Sequence, residues 1–402
     1  MNHRERIYLD HAATTPVDPR VVEAMLPCFT TQWGNPSSIY HEGQDARRVL
    51  DTARRQVAEI LGATPAEVIF TAGGSESDNH AIRGAAYASR THGMHLITTA
   101  VEHHAVLHSF ERLAAEGFDV TFLPVDREGF VTPDQVAAAV GDRTTLVSVI
   151  YANNEVGTIQ PIRDIVRAVK QRNPRTLVHS DAVQAAGALP LGVDRLGIDL
   201  LSLAAHKFYG PKGTGVLYLR QGTRFEPQIV GGAQERDRRA GTENVAGAVG
   251  LATALRLAHE ERESRTVHHR RLRDRLLEEI PARVPRTHVT GPLDRERRIP
   301  NNASFCFEFI EGEALLLQLD LNGIAASSGS ACTSGSLEPS HVLQAMGIPI
   351  EIARSSLRLS VGVDNTDDQI DRVLELLPRF VARLRELSPL GPDLPRPDLL
   401  TA

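Results

Sequence analysis

Short apolar, β-branched runs alternate with helical patterns through the first half of the chain, and few architectures accommodate that order. Glu67 to Phe70 precedes a helical pattern over Asp78 to Ser89, His95 to Thr98 precedes Val106 to Glu116, and Thr145 to Tyr151 precedes Ile162 to Gln171. Strands alternating with helices in this way predict βαβ units around a parallel sheet. Leu177 to Ser180, Leu200 to Leu203 and Gly215 to Leu219 add strands, the last two joined across Gly-Pro-Lys-Gly, a connection that suits an antiparallel return. A mixed, mainly parallel sheet of seven strands is expected.

The character changes after about Leu251, where a long charged helix is predicted over Leu251 to Glu279, with five arginines between Arg265 and Arg275. Such a run usually marks a solvated helix face, and a basic face for nucleic acid is the rival reading. Beyond it, Ala303 to Phe309 and Leu357 to Val361 alternate like strands, while Glu313 to Leu321 and Thr366 to Leu387 have helical periodicity. That predicts a second, α+β unit. The proline-rich tail from Ser388 is expected to be mobile.

Composition excludes several classes. The 402 residues include 23% charged side chains and carry a net charge of -6, which gives no general pull toward nucleic acid or an anionic membrane. The most apolar stretch, Val245 to Leu255, is far short of the roughly 20 residues a membrane-spanning helix needs. The N-terminus shows no secretory pattern, so the cytosol is the default expectation. Cys28, Cys306 and Cys332 are far apart and form no Cys-x-x-Cys pair, so each is read as a thiol.

Several motifs carry chemistry. The loop Thr71-Ala-Gly-Gly-Ser-Glu-Ser-Asp-Asn79 joins a strand to a helix, with Ser75 and Asp78 at capping-box spacing. Its glycines and helix N-terminus suit a phosphate, and a tight turn is the alternative. Asp181 closes a strand, and Lys207 follows the next strand, in Ala-Ala-His-Lys-Phe-Tyr-Gly-Pro-Lys-Gly. A lysine able to form a Schiff base, an acid able to pair a pyridinium nitrogen and a phosphate cradle are the protein parts that pyridoxal phosphate requires.

His103, just past a strand end, is placed to stack on a planar cofactor and move protons. His104 and His108 are four apart and share a helix face, a spacing that fits a metal or a plain surface pair, with no third ligand at suitable spacing. Asn153-Asn154-Glu155 offers amide donors or a turn. Arg358, in Ser356-Leu-Arg-Leu-Ser-Val361, is either a carboxylate clamp or a surface strand charge. Cys332 lies in Ser327-Ser-Gly-Ser-Ala-Cys-Thr-Ser-Gly-Ser336, a composition that predicts an accessible, mobile thiol able to attack sulfur. Cys306, inside a strand, and Cys28 are read as structural.

With these motifs in view, the chain resembles the cysteine desulfurases of the class-V aminotransferase group, which have the fold-type-I pyridoxal-phosphate architecture. The resemblance runs from Tyr8-Leu-Asp-His-Ala-Ala-Thr-Thr-Pro16 to about Leu390, and is most specific at His206-Lys207 and the long cysteine loop, which looks like the first group of the family. It implies a large cofactor domain over 15–260, a smaller domain from 1–14 and 261–387, and a tail over 388–402.

The resemblance also implies roles. Lys207 would hold pyridoxal 5'-phosphate, Asp181 would pair its ring nitrogen, Gln184 and Asn154 would bond the ring hydroxyl, and His103 would stack on the ring. Gly74, Ser75 and His206 would bind the phosphate, completed by Thr242 of a neighbouring subunit, so a homodimer is implied. Asn35, Asn154 and Arg358 match substrate-carboxylate positions. Cys332 matches the persulfide-bearing cysteine and would be a transient iron-sulphur ligand shared with a scaffold. Two departures stand out. Ala204 occupies a position where relatives commonly carry a phosphate-binding serine, a loss on the order of 1 kcal/mol. The short proline-rich tail replaces a segment that other members use in docking. The expected activity is conversion of L-cysteine to L-alanine with persulfide formation on Cys332, for iron-sulphur cluster assembly or tRNA thiolation. The alternatives are a selenocysteine lyase, another fold-type-I enzyme, or an inactive scaffold of the same fold.

Overall fold

The computed structural model describes residues 6–329 and 339–388. Its strands are β1 (Ile7–Tyr8), β2 (Val68–Thr71), β3 (His95–Thr99), β4 (Asp119–Leu123), β5 (Thr144–Ser148), β6 (Leu177–Asp181), β7 (Leu200–Ala204), β8 (Gly215–Leu219), β9 (Thr287–Val289), β10 (Asn302–Phe307), β11 (Ile324–Ala325) and β12 (Ser356–Ser360). Seven of them form one sheet in the order β2-β8-β7-β6-β5-β3-β4. β8 alone runs against its neighbours β2 and β7, and the other pairs are parallel. The sheet is therefore mixed and mainly parallel.

Both faces are covered, and the strand period of two decides which residue goes where. Val147, Leu201 and Val216 pack with Ile162, Ile165 and Val169 of the helix Ile162–Arg172 and with Leu251 and Leu255. Their neighbours Leu146, Leu200 and Leu217 face the other way, onto Ala81, Ile82 and Ala85 of the helix Gly74–Ser89 and Val106 and Phe110 of the helix His104–Ala115. Strands apolar on both faces are what a sheet sandwiched between helices requires.

A smaller sheet has the order β12-β10-β9, and β1 pairs in parallel with β11. Ile7 and Leu9, near the N-terminus, share a core with Leu272, Leu276, Phe305, Phe307, Leu357 and Leu359. Cys306 points to the opposite side of β10, among Val101, Val156 and Met346.

Three expectations need correction. The helix read over Leu251 to Glu279 is two helices, Val245–Glu260 and Arg262–Arg283. The junction, Glu261, carries φ -93° and ψ 4° and binds Arg20 and Arg265. No glycine or proline marks it, because the break serves packing: the first helix buries Leu251 and Leu255 under the large sheet, the second buries Leu272 and Leu276 under the small one. The arginine run is only in part a solvated face. Arg265 and Arg273 are buried, Arg273 donates to the carbonyls of Arg298 and Ile299, and Arg275 pairs with Asp367 and Asp371. Finally, β4 escaped the reading because this edge strand buries only Leu123, leaving no apolar run to detect.

Candidate active site

The parallel strands end along one edge of the large sheet, where ligand crevices of such sheets form. A cavity of about 310 Å³ opens there, lined by Gly74, Ser75, Asp78, His103, Asn154, Asp181, Gln184, Ala204, His206, Lys207 and Arg358, with Ala12 and Ala13. Residues spread from position 12 to position 358 thus converge because each follows a strand that ends at this edge or lies on the small-domain sheet beside it.

One end is built from backbone. Gly73 precedes the helix Gly74–Ser89 with φ +150°, a conformation open to glycine, and no side chain caps the helix. A Cβ on Gly74 would lie 2.9 Å from Val183 Cγ2, so only glycine lets the strand-to-helix turn sit this close. The uncapped N–H groups and dipole of this helix suit an anion. The capping box read for Ser75 and Asp78 does not form: Gly73 is the cap, and Asp78 is instead turned inward and buried.

The floor of the cavity is acidic and buried. Asp181 accepts from the Val183 N–H at 2.9 Å and is pushed up to about 6 by burial, against the pull of that bond and of Lys207. Burial raises Asp78 well above the ordinary range, and repulsion from Asp181 raises it further. Asp78 Oδ1 has no hydrogen-bond partner among the described residues. His179 lies beneath, held between Ser148 Oγ at 2.8 Å and Ser202 Oγ at 2.9 Å, and burial keeps it neutral, at about 3. A third carboxyl, Glu102, accepts from Thr99 Oγ1 at 2.7 Å and Ile150 N at 2.9 Å and is pushed up to about 8 by burial.

Around this floor stand a lysine, two histidines and an amide. Lys207 Nζ donates to the carbonyls of Ala12 at 2.6 Å and Ala13 at 2.7 Å. His103 caps the helix His104–Ala115, its Nδ1 accepting from the Ala105 N–H at 3.1 Å, which leaves the proton on Nε2. Burial, then the Lys207 charge, hold it down to about 4. His206, bonded to Thr14 Oγ1 at 3.1 Å, is held near the same value for the same reasons. Gln184 Nε2 donates to the Ala12 carbonyl at 2.8 Å.

The far end carries Arg358. It is not a surface charge: it is buried, donating Nη1 to the Asn154 carbonyl at 2.9 Å and Nη2 to Asp10 Oδ1 at 2.8 Å, with Nε unpartnered among the described residues. Asn153 spends its side chain on the turn that follows, accepting from the Glu155 and Val156 N–H groups. Glu155, buried and pushed up to about 7, accepts from Ser340 Oγ and touches the Gly329 backbone region, so it contacts the chain on both sides of residues 330–338.

Asn35 and Thr242 are not in the cavity wall. Both are exposed, and Asn35 Oδ1 accepts from the Ser37 N–H at 2.9 Å. Cys332 lies outside the described residues, as does the tail from 389 onward. The other two thiols are poor nucleophiles: burial pushes Cys306 up to about 12 and also raises Cys28. Asp78 lines the cavity and His179 and Glu102 are buried nearby, and sequence reasoning named none of the three as site residues. The available signal was polarity in the wrong place, such as His179 in the middle of the buried run Leu-Val-His-Ser-Asp.

Pyridoxal phosphate fits this donor set. An orphaned buried carboxylate oxygen and a second buried carboxylate call for a cation, and a ring N–H between hydrophobic walls supplies one. An uncapped helix N-terminus stands ready for a phosphate, and a lysine reaches the same space. Among the described residues, no helix is long and apolar enough to cross a membrane.

Comparison with known proteins agrees with this geometry. The family profile for class-V aminotransferases matches residues 7–373. A protein named cysteine desulfurase IscS from Clostridium botulinum is 51% identical over 389 residues, covering 97% of this chain and 98% of its own length. A solved NifS-like protein has a TM-score of 0.88 at 39% identity, covering 94% of this chain and all of its own. A structure of SspA in complex with cysteine has a TM-score of 0.76 at 34% identity, over 88% of this chain and 98% of its own. The fold, the cavity and these likenesses together show that the chain belongs to the class-V aminotransferase family, in its cysteine desulfurase branch, and is a pyridoxal-phosphate enzyme.

Proposed function

We propose that this enzyme converts L-cysteine to L-alanine and leaves the sulfur as a persulfide on Cys332. The observation that carries the reading is one cavity with Lys207 beside two buried carboxyls at one end and buried Arg358 at the other. That arrangement supports a zwitterionic amino acid held by its carboxylate while its amino group meets the cofactor. SspA, a protein of similar structure, has been solved in complex with cysteine, which supports that substrate.

The roles follow from position. Bound pyridoxal phosphate supplies an electron sink for the charge left when the α-proton departs. Gly74, Ser75 and His206 would hold its phosphate and Asn154 and Gln184 its ring hydroxyl, and ionised Asp181 would keep its ring nitrogen protonated, which would strengthen that sink. His103, neutral, would pack over the ring. Ala204 offers no donor there, so the phosphate relies on backbone N–H groups and on Thr242 of a second copy, whose exposure supports a homodimer. Arg358 and Asn154 hold the substrate carboxylate, and Asn35 is assigned to the same carboxylate by its match to the family. Lys207 takes the α-proton and returns one to carbon.

The Cys332 thiolate attacks the substrate sulfur: an S–S bond forms as the substrate C–S bond breaks. The electron pair released stays with the substrate carbon, which gains a proton and leaves as alanine, and His103 exchanges the thiol proton. One cysteine and one thiol thus give one alanine and one persulfide. The acceptor is an iron-sulphur scaffold or a tRNA-thiolation protein, in the cytoplasm, with Cys332 as a transient cluster ligand at handover. We assign the work to two units, 15–260 for the cofactor and 1–14 with 261–387 for the substrate carboxylate.

The test is Cys332→Ala holoenzyme. It should keep its visible cofactor band and its shift on adding cysteine, yet release no sulfide under reductant. Mass spectrometry of the wild type after cysteine should find added sulfur on Cys332 and not on Cys28 or Cys306. Sustained sulfide from the variant, or keto acid in place of alanine, would overturn the reading.

A further inference from the structure

Beside the active site stand three histidines that the reaction does not use. His104 and His108 are one turn apart on the helix His104–Ala115, and their ring centres are 5.1 Å apart. His341 opens a short helix far along the chain, His341–Ala345, and its ring centre lies 4.5 Å from that of His104. The pair alone has the spacing of a helical chelate, and the fold adds the third imidazole that no sequence spacing could supply.

The distances suit a shared ion. Two imidazoles bound to one tetrahedral ion at about 2.0–2.1 Å per Zn–N bond have ring centres roughly 5 Å apart. His104 is the middle member. Bringing His108 and His341 onto one ion requires rotation of His108, which its exposure permits.

The cluster also has the support that metal-binding histidines show. His341 Nε2 lies 2.9 Å from the Glu102 backbone carbonyl, which fixes its ring and tautomer and leaves Nδ1 for an ion. The set contains no carboxylate, so it selects against calcium and magnesium and for borderline ions. It is separate from Asp78, His103 and Asp181, whose ligand atoms lie within 4.8 Å of one another but belong to the cofactor floor.

We infer that His104, His108 and His341 form a three-imidazole site for a divalent transition ion of the zinc, copper and nickel class, with water completing its shell. Such an ion ties the helix capped by His103 to the helix that follows residue 338, so it links two elements at the mouth of the cavity.

The experiment is a zinc titration of the holoenzyme, free of cysteine and other thiols, in competition with a chromophoric chelator. One ion per chain should bind, raising the thermal midpoint as a native-state ligand does. Affinity should fall at least about ten-fold in His108→Ala and in His341→Gln alike, each three-ligand site losing one bond worth about 1.4 kcal/mol or more. His259→Ala, a change at another exposed histidine, should leave it unchanged. His108 is exposed, so its loss leaves folding intact even if His341→Gln does not. Cobalt should give a visible spectrum without a thiolate charge-transfer band. The inference fails if no ion binds at micromolar concentration. It fails also if affinity survives His341→Gln, the mark of a two-histidine helix chelate, or is lost only in Cys332→Ala.

Discussion

The two ends of the cavity solve opposite charge problems. At the floor, Asp78 and Asp181 are buried together, and Asp78 Oδ1 has no partner among the described residues. At the far end Arg358 is equally buried but already compensated by Asp10. A charge-deficient floor gains by accepting a cation, so it favours a protonated ring nitrogen. A guanidinium already paired with Asp10 must share its donors with a substrate carboxylate, so Asp10 competes for binding at that end.

The largest effect should separate the two floor carboxyls. Asp181→Asn removes the ionised partner and should lower kcat by about 10² to 10³-fold, the scale of one pre-positioned electrostatic group. Burial and repulsion from Asp181 raise Asp78 and so disfavour its charged form, and Asp78→Asn should cost less than about ten-fold. Equal losses in the two variants, measured as steady-state alanine formation, would erase the distinction.

At the other end, Arg358→Ala should raise KM for cysteine by about 10 to 100-fold, from the roughly 1.5–3 kcal/mol of a hydrogen bond to a charged group. Its kcat should change less. If kcat fell and KM held, the guanidinium would belong to the chemistry rather than to binding.

A smaller, pH-dependent effect tests the floor again. Glu102 holds its proton up to about pH 8, whereas the unfolded chain releases it near 4.5. Between those values the native state binds the extra proton, so this group's contribution to stability falls as pH rises. Glu102→Gln removes the titration, and its thermal midpoint should decline less than that of the wild type from pH 5 to pH 8 by calorimetry. Parallel curves would place the shift elsewhere.

The smallest change should come from Asp10→Asn. Freed of its competitor, Arg358 should bind substrate better, and KM should fall a few-fold, within about 1 kcal/mol. A rise would mean that Asp10 orients the guanidinium rather than competing for it.

Much of this site could be read in the chain because strand ends announce themselves. Asp181 and Lys207 each follow an apolar run, and Gly73 and Gly74 mark a turn into a helix. Asp78 was misread as a cap because capping-box spacing is a local signal, while its burial depends on Asp181 and His179 from another strand. The break at Glu261 was invisible because two helices that bury different faces need no breaker residue between them. Arg358 stayed ambiguous because alternation on one strand cannot say whether a second layer covers its polar face.

The sequence by itself determined the α/β architecture, the parallel order of strand and helix, and the chemical types at strand ends, since periodicity and turn residues act within a few positions. Only the tertiary structure decided which carboxyls lose water, which arginine is buried against Asp10, and that His341 meets His104. The physical reason is that charge state and ligand sets depend on desolvation and on distance between remote segments, and neither quantity exists until the chain has closed around them.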